Sequence, residues 1–101
     1  MKKIKLYLEY QCFPIWIYED EHFLSNDIPK ELVEDKELER KLVSLQEKYN
    51  DLFIDTDTSF KYIGFNSDIE KELFLDEFNQ ITKYLQEALG EEYAIENEIK
   101  F

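Results

Sequence analysis

One cysteine, Cys12, leaves no second thiol for an internal disulfide and excludes a multi-cysteine metal centre. One histidine, His22, excludes a paired-histidine metal site. Two glycines and two prolines in 101 residues leave little material for linkers or Gly-rich phosphate loops. Cations are scarce: 12 basic residues stand against 24 acidic ones, a net charge of -12. Such a field repels nucleic acid and anionic membrane and attracts a basic partner. No apolar window is long enough to cross a bilayer. Met1-Lys2-Lys3 could open a signal peptide, but Lys5 and Glu9 interrupt the apolar run and no small-residue cleavage site follows. There is no Asn-x-Ser/Thr acceptor, and a lone thiol suits a reducing compartment, so the expected location is the cytoplasm.

What remains is ample for a core: 44% hydrophobic residues, 16% of all residues being aromatic. The length predicts one domain over residues 1–101. Residues 3–10 alternate, with Ile4, Leu6, Leu8 and Tyr10 on one side and Lys5, Tyr7 and Glu9 on the other, which predicts a half-buried strand. After Pro14, Ile15-Trp16-Ile17-Tyr18 reads as a second strand, Glu19-Asp20-Glu21 as a turn and His22-Phe23-Leu24 as a short return strand. Ser25-Asn26-Asp27-Ile28-Pro29 stops the sheet and introduces helix, because proline is tolerated in a first turn. From Leu38 through Leu42, Leu45, Tyr49 and Leu52 the apolar spacing is helical. Asp35 is placed to cap this long helix, with a separate short turn before it.

Asp55-Thr56-Asp57-Thr58-Ser59 is turn chemistry, and residues 60–65 read as a strand. Ser67-Asp68-Ile69-Glu70 matches a capping box. It opens a helix whose inner stripe is expected to be Leu73, Phe74, Phe78, Ile81, Leu85 and Leu89, ended by Gly90 in a left-handed conformation. Tyr93, Ile95, Ile99 and Phe101 then share one side of a terminal strand. The order is β-β(-β)-α-β-α-β. It predicts an α+β fold: a two-layer sandwich with a mainly antiparallel sheet and two amphipathic helices on one face.

Catalytic and cofactor motifs are missing. No Gly-x-Gly-x-x-Gly, phosphate loop or His-Glu-x-x-His occurs. Asp55-x-Asp57-x-Ser59 starts like a calcium loop, yet Phe60 stands where its glycine belongs and Asn66 where its bidentate glutamate belongs. His22 reads as an exposed turn residue and Cys12 as a small buried hydrophobe. The chain is therefore expected to be no enzyme and to need no metal or cofactor.

Candidate binding residues come from surface reasoning. If Ile15 and Ile17 face the core, Trp16 and Tyr18 project from the opposite sheet face, where Tyr7 joins them; exposed Trp and Tyr are the residue types enriched at interface hot spots. Acids form a second set. Residues 1–50 carry a net of 3 negative charges and residues 51–101 a net of 9. Asp51, Asp55 and Asp57 cluster at the end of the first long helix, and Asp68, Glu72, Asp76, Glu87, Glu91, Glu92, Glu96 and Glu98 mark the outer side of the last helix and strand. Dense carboxylates can oppose a cationic nuclease groove and speed the encounter.

Three stretches carry a resemblance: Leu8-Glu9-Tyr10-Gln11-Cys12-Phe13-Pro14-Ile15-Trp16, Asn26-Asp27-Ile28-Pro29-Lys30-Glu31-Leu32 and Phe60-Lys61-Tyr62-Ile63-Gly64-Phe65. With the size and acidity of the chain, they resemble the small immunity proteins of bacterial contact-dependent inhibition and other polymorphic toxin systems. That resemblance implies a stoichiometric inhibitor whose partner is a cognate toxin domain, basic and a nuclease, whose active site it covers. Two alternatives stand beside it. One is a nucleic-acid mimic or regulatory adaptor that binds a basic host or phage protein. The other is a homodimer built on the terminal strand.

Overall fold

The computed structural model describes residues 2–100. The chain runs β1 (Lys2–Leu6), β2 (Ile15–Glu19), β3 (His22–Ser25), a 3-10 turn (Lys30–Leu32), α1 (Lys36–Asn50), β4 (Phe53–Asp55), β5 (Phe60–Tyr62), α2 (Asp68–Leu89) and β6 (Tyr93–Asn97). Four strands form one sheet in the order β3-β2-β1-β6, while β4 and β5 form a separate two-stranded sheet. β2 is antiparallel to β1 and to β3; only β6 runs parallel to β1. The result is the expected α+β sandwich with a mainly antiparallel sheet.

Alternation sets the two sheet faces. Ile4 pairs with Ile17 and Leu6 with Ile15, and all four are buried. These side chains meet Leu38, Leu42 and Leu45 of α1 and Phe74, Phe78, Ile81, Leu85 and Leu89 of α2 in one core. Burying each large side chain contributes about 1.5–3 kcal/mol. Lys3, Lys5, Trp16 and Tyr18 take the other face.

The first strand is shorter than its alternation predicts. Tyr7 N–H still reaches Pro14 O at 3.1 Å, but Pro14 has no N–H to return, and the ladder stops. Leu8 packs beside the core and Tyr10 leaves it altogether. Gln11 adopts φ 60, and its N–H donates to Asn50 Oδ1 at 2.9 Å. The Asn26 side chain replaces missing ladder bonds, donating to Phe13 O at 2.6 Å and Ile15 O at 2.8 Å. The turn between β2 and β3 has two residues, Asp20 at φ 48 and Glu21 at φ 73, the left-handed pair of a type I′ hairpin.

Asp35 caps α1 as its position predicts, accepting from Leu38 N–H at 3.1 Å. Leu52 is buried but lies past the helix end, in a turn closed by its N–H on Tyr49 O. Its own carbonyl accepts from Ile63 N–H at 2.6 Å and Gly64 N–H at 3.2 Å, and this fastens the β4–β5 hairpin. Ser67 caps α2 by accepting from Glu70 N–H at 3.2 Å.

Three further expectations are corrected. Leu73 is 59% exposed, because it falls about 100° around the helix from Phe74 and the stripe is narrower than drawn. Gly90 keeps a right-handed φ of -61, and a Cβ there would lie 2.3 Å from Gln86 O, so close approach rather than handedness favours glycine. The left-handed glycine is Gly64, at φ +77. Ile99 packs against the core beyond β6, and Phe101 lies outside the described residues.

Candidate protein-binding surfaces

The outer sheet face gathers Tyr7, Trp16 and Tyr18 as the alternation predicts, and adds Phe23. Trp16 lies 6.5 Å from Tyr7 and 5.9 Å from Phe23 between ring centroids, and Tyr18 lies 5.8 Å from Phe23. The Trp16 indole N–H donates to Tyr7 O at 3.0 Å. Phe23 was legible in principle: a two-residue turn places it opposite Tyr18. Charges on this face are matched. Lys3 meets Glu96 at 3.4 Å, Lys5 meets Glu98 at 3.5 Å, and the Lys5 ammonium sits 5.2 Å from the Tyr18 ring centre. Over residues 2–25 and 93–98, which hold the four strands, there are 6 acids and 3 lysines, against 8 acids and 2 lysines over residues 51–77.

The second face is formed by the β4–β5 hairpin, the end of α1 and the first half of α2. Phe53 is the hub of an aromatic cluster, with Tyr10 at 5.1 Å, Tyr49 at 5.2 Å, and Phe60 and Tyr62 at 5.3 Å. This is why residues 60–62 form a strand without joining the main sheet: the aromatic side chains cover one another. Phe60 and Tyr62 remain more than half exposed. Burial pushes the Tyr49 hydroxyl pKa up, helped by neighbouring Tyr62, Tyr7 and Glu9, so it stays protonated.

Beside the hairpin lies a groove of about 400 Å³ lined by Leu52, Ile63, Phe65, Leu73 and Phe74, with Asp51, Glu70 and Glu77 among its acids. Lys48 and Glu77 approach across it at 3.8 Å. Ile63 is 52% exposed and Ile69, one helical turn before Leu73, is 70% exposed.

Of the acids singled out in the sequence, Asp51 lines this groove. Asp55 accepts from the Tyr10 hydroxyl at 3.5 Å, and Asp57 is exposed in the hairpin turn. That turn is closed by Thr56 and Ser59, whose backbone bond is 2.8 Å. Asp68 opens α2, Glu72 follows one turn on, and Asp76 accepts from Gln80 at 2.8 Å on the solvent side. Of the two acidic sets read in the sequence only Asp51 lines the groove; its other acids are Glu70 and Glu77, while Asp68 and Glu72 lie on the far side of α2. Residues 51–77 hold 8 acids and 2 lysines.

A larger groove of about 510 Å³ lies between the start of α1 and the second half of α2. There the Tyr84 hydroxyl donates to Asp35, which, with the Leu38 N–H, holds the carboxyl below its usual range. Asp35 is thus committed to capping. Cys12 is half-buried rather than buried, with its sulfur 3.9 Å from Glu9, and His22 is exposed at the start of β3. Among the described residues no group of three His, Cys, Asp or Glu side chains could hold a metal ion, and no helix is long and apolar enough to cross a membrane.

Comparison with curated proteins returns no match. A family model does match, described as Serratia CdiI immunity protein-like, and it covers residues 2–97. An immunity protein of a contact-dependent inhibition system binds a cognate toxin and neutralises it, a role that needs a recognition surface rather than a reactive centre. With the match spanning almost the whole chain, this protein belongs to the Serratia CdiI immunity protein-like family.

Proposed function

We propose that this immunity protein neutralises a cationic toxin domain, a nuclease, by one-to-one binding that covers its active site. One observation carries the reading: a net charge of -12, concentrated around exposed apolar side chains. Carboxylates would oppose the Lys and Arg that a nuclease uses to hold phosphates. The apolar centre would supply the slow dissociation, and the acidic surround would set the association rate and its salt dependence. A lone half-buried thiol suits an encounter in a reducing cytoplasm.

The test uses the C-terminal domain of a large secreted protein encoded by a neighbouring gene, as the cognate toxin. Titration to one equivalent should abolish its nucleic-acid cleavage, and the association rate should fall steeply as salt is raised. A complex that still cleaves would remove active-site covering. A toxin domain with no cationic surface, bound at a salt-independent rate, would remove the electrostatic part.

A further inference from the structure

The chain offers two apolar surfaces, and their electrostatics separate them. On the outer sheet face the lysines are consumed by Glu96 and Glu98. On the hairpin–α2 face Asp51, Asp57 and Glu70 enter no ion pair among the described residues. Half of the net charge lies in residues 51–77, which hold 8 acids and 2 lysines. The same stretch supplies Ile54, Phe60, Tyr62, Ile63, Ile69 and Leu73, half of the large apolar side chains left exposed among the described residues. Solvent-exposed Ile and Leu at one-turn spacing beside a groove are costly to leave in water, and patches of this kind mark binding sites.

We infer that the cationic toxin domain docks on the β4–β5 hairpin and the first half of α2, leaving the aromatic sheet face free; this rests on the function proposed above. Ile63 and Leu73 form the apolar centre at the groove, with Ile69 exposed one turn before Leu73. The exposed rings of Phe60 and Tyr62 accept Arg or Lys from the partner, since a cation over an aromatic face is stabilised further as it is desolvated. Unpaired carboxylates on either side neutralise that cation. The sheet face lacks this pairing, because its own lysines already occupy the acids and the Tyr18 ring.

The experiment measures binding of the same toxin domain to four proteins: wild type, Leu73→Lys, Ile63→Lys and Phe23→Lys. Leu73, Ile63 and Phe23 are all at least half exposed, so the fold tolerates each change, and thermal melts check this. Leu73→Lys and Ile63→Lys should each weaken binding at least about thirtyfold, the loss expected of a hot-spot residue. Phe23→Lys should change it less than about threefold. Loss with Phe23→Lys but not with the groove variants would overturn the inference and leave the proposed function standing. Equal loss from both faces would also overturn it. Failure of the wild type to bind or inhibit would remove the proposed function itself. A dimer of the chain alone, dissociated by Leu73→Lys, would assign this face to a second copy and overturn the inference.

Discussion

Tyr93→Phe removes one oxygen and tests how β6 is tied to the segment before α1. The Tyr93 ring is 3% exposed, and its hydroxyl donates to both Glu31 oxygens, at 2.9 and 3.1 Å. Phenylalanine keeps the ring packing and loses only this link across 62 residues of sequence. A hydrogen bond to a charged acceptor is worth about 1.5–3 kcal/mol. Glu31 is exposed and regains water, so the expected loss lies at or below the lower limit of that range, about 1–1.5 kcal/mol. For a chain of about this size that lowers Tm by roughly 4–10 °C.

The pH dependence supplies a second readout. Burial, then the hydrogen bond to Glu31 and the charges of Glu31, Glu92 and Glu19, push the Tyr93 hydroxyl from 10.0 up to about 12. A raised folded pKa means that the protonated group stabilises the fold. Its contribution is complete below pH 10 and is lost as pH rises from 10 toward about 12. By pH 11 the wild type should have lost about 1 kcal/mol through this group alone. Glu31 behaves oppositely. Burial raises its pKa, but hydrogen bonds from its own backbone N–H and from Tyr93 outweigh that and leave it lowered, so its contribution is lost as pH falls below 4.5. Urea melts followed by circular dichroism at pH 8 and pH 11 compare the two proteins. The gap between them should be clear at pH 8 and nearly closed at pH 11. A gap unchanged between these pH values would refute the reasoning.

Phe78→Ala should cost about 3–5 kcal/mol, since this fully buried ring packs between both helices and the sheet, whereas Leu73→Ala should cost less than about 0.5 kcal/mol; denaturant midpoints decide between the observed and the broader helix stripe. Glu21→Gly should stabilise by about 0.5 kcal/mol, because glycine relieves the left-handed φ of 73 and returns part of that gain as unfolded-chain entropy; a drop in Tm would count against a type I′ turn. Replacing Asp55 and Asp57 together by Asn should raise Tm at low salt by relieving like-charge repulsion, and slow toxin association several-fold by stopped-flow; no change in the rate would count against steering by the hairpin.

The parts of the fold legible in the sequence are those whose period is long enough to read. Twenty-two residues of α2 and fifteen of α1 repeat their stripes several times, and Asp35 and Ser67 announce the starts by chemistry alone. The faces of β1 and β2 follow from strict alternation. The β4–β5 hairpin was half legible: its turn was, its detachment was not. Strands of three residues show no period, and the aromatic cluster that holds them joins Tyr10 to Phe53 and Phe60 across more than forty positions. A residue such as Leu73 reads as core because apolarity is the only signal available to a sequence. Its exposure comes from which other side chains reach it. The candidate surface suffers the same limit: its acids were visible, but the groove between them is a product of packing.

The hairpin's detachment bears on how recognition and stability are divided. From residues 51–73 the core draws buried Leu52 and half-buried Phe65, which packs on Phe74; the rest is built from β1, β2, α1, the inner stripe of α2 and Tyr93. The hairpin is held instead by the Leu52 carbonyl and by aromatic contacts around Phe53. Substitutions at exposed Ile63 or Leu73 therefore remove little buried area and cost little stability, whereas Phe60 and Tyr62 also hold the hairpin through Phe53. Substitutions on the sheet face differ, because Trp16 donates to the Tyr7 carbonyl and packs against two other aromatic rings, so altering it also disturbs the β1–β2 pair. A surface whose side chains can change without loosening the core is where partner specificity can be adjusted at least cost to the fold. In this chain that surface is the acidic hairpin–α2 face, which is a physical reason, independent of charge, for expecting the toxin there.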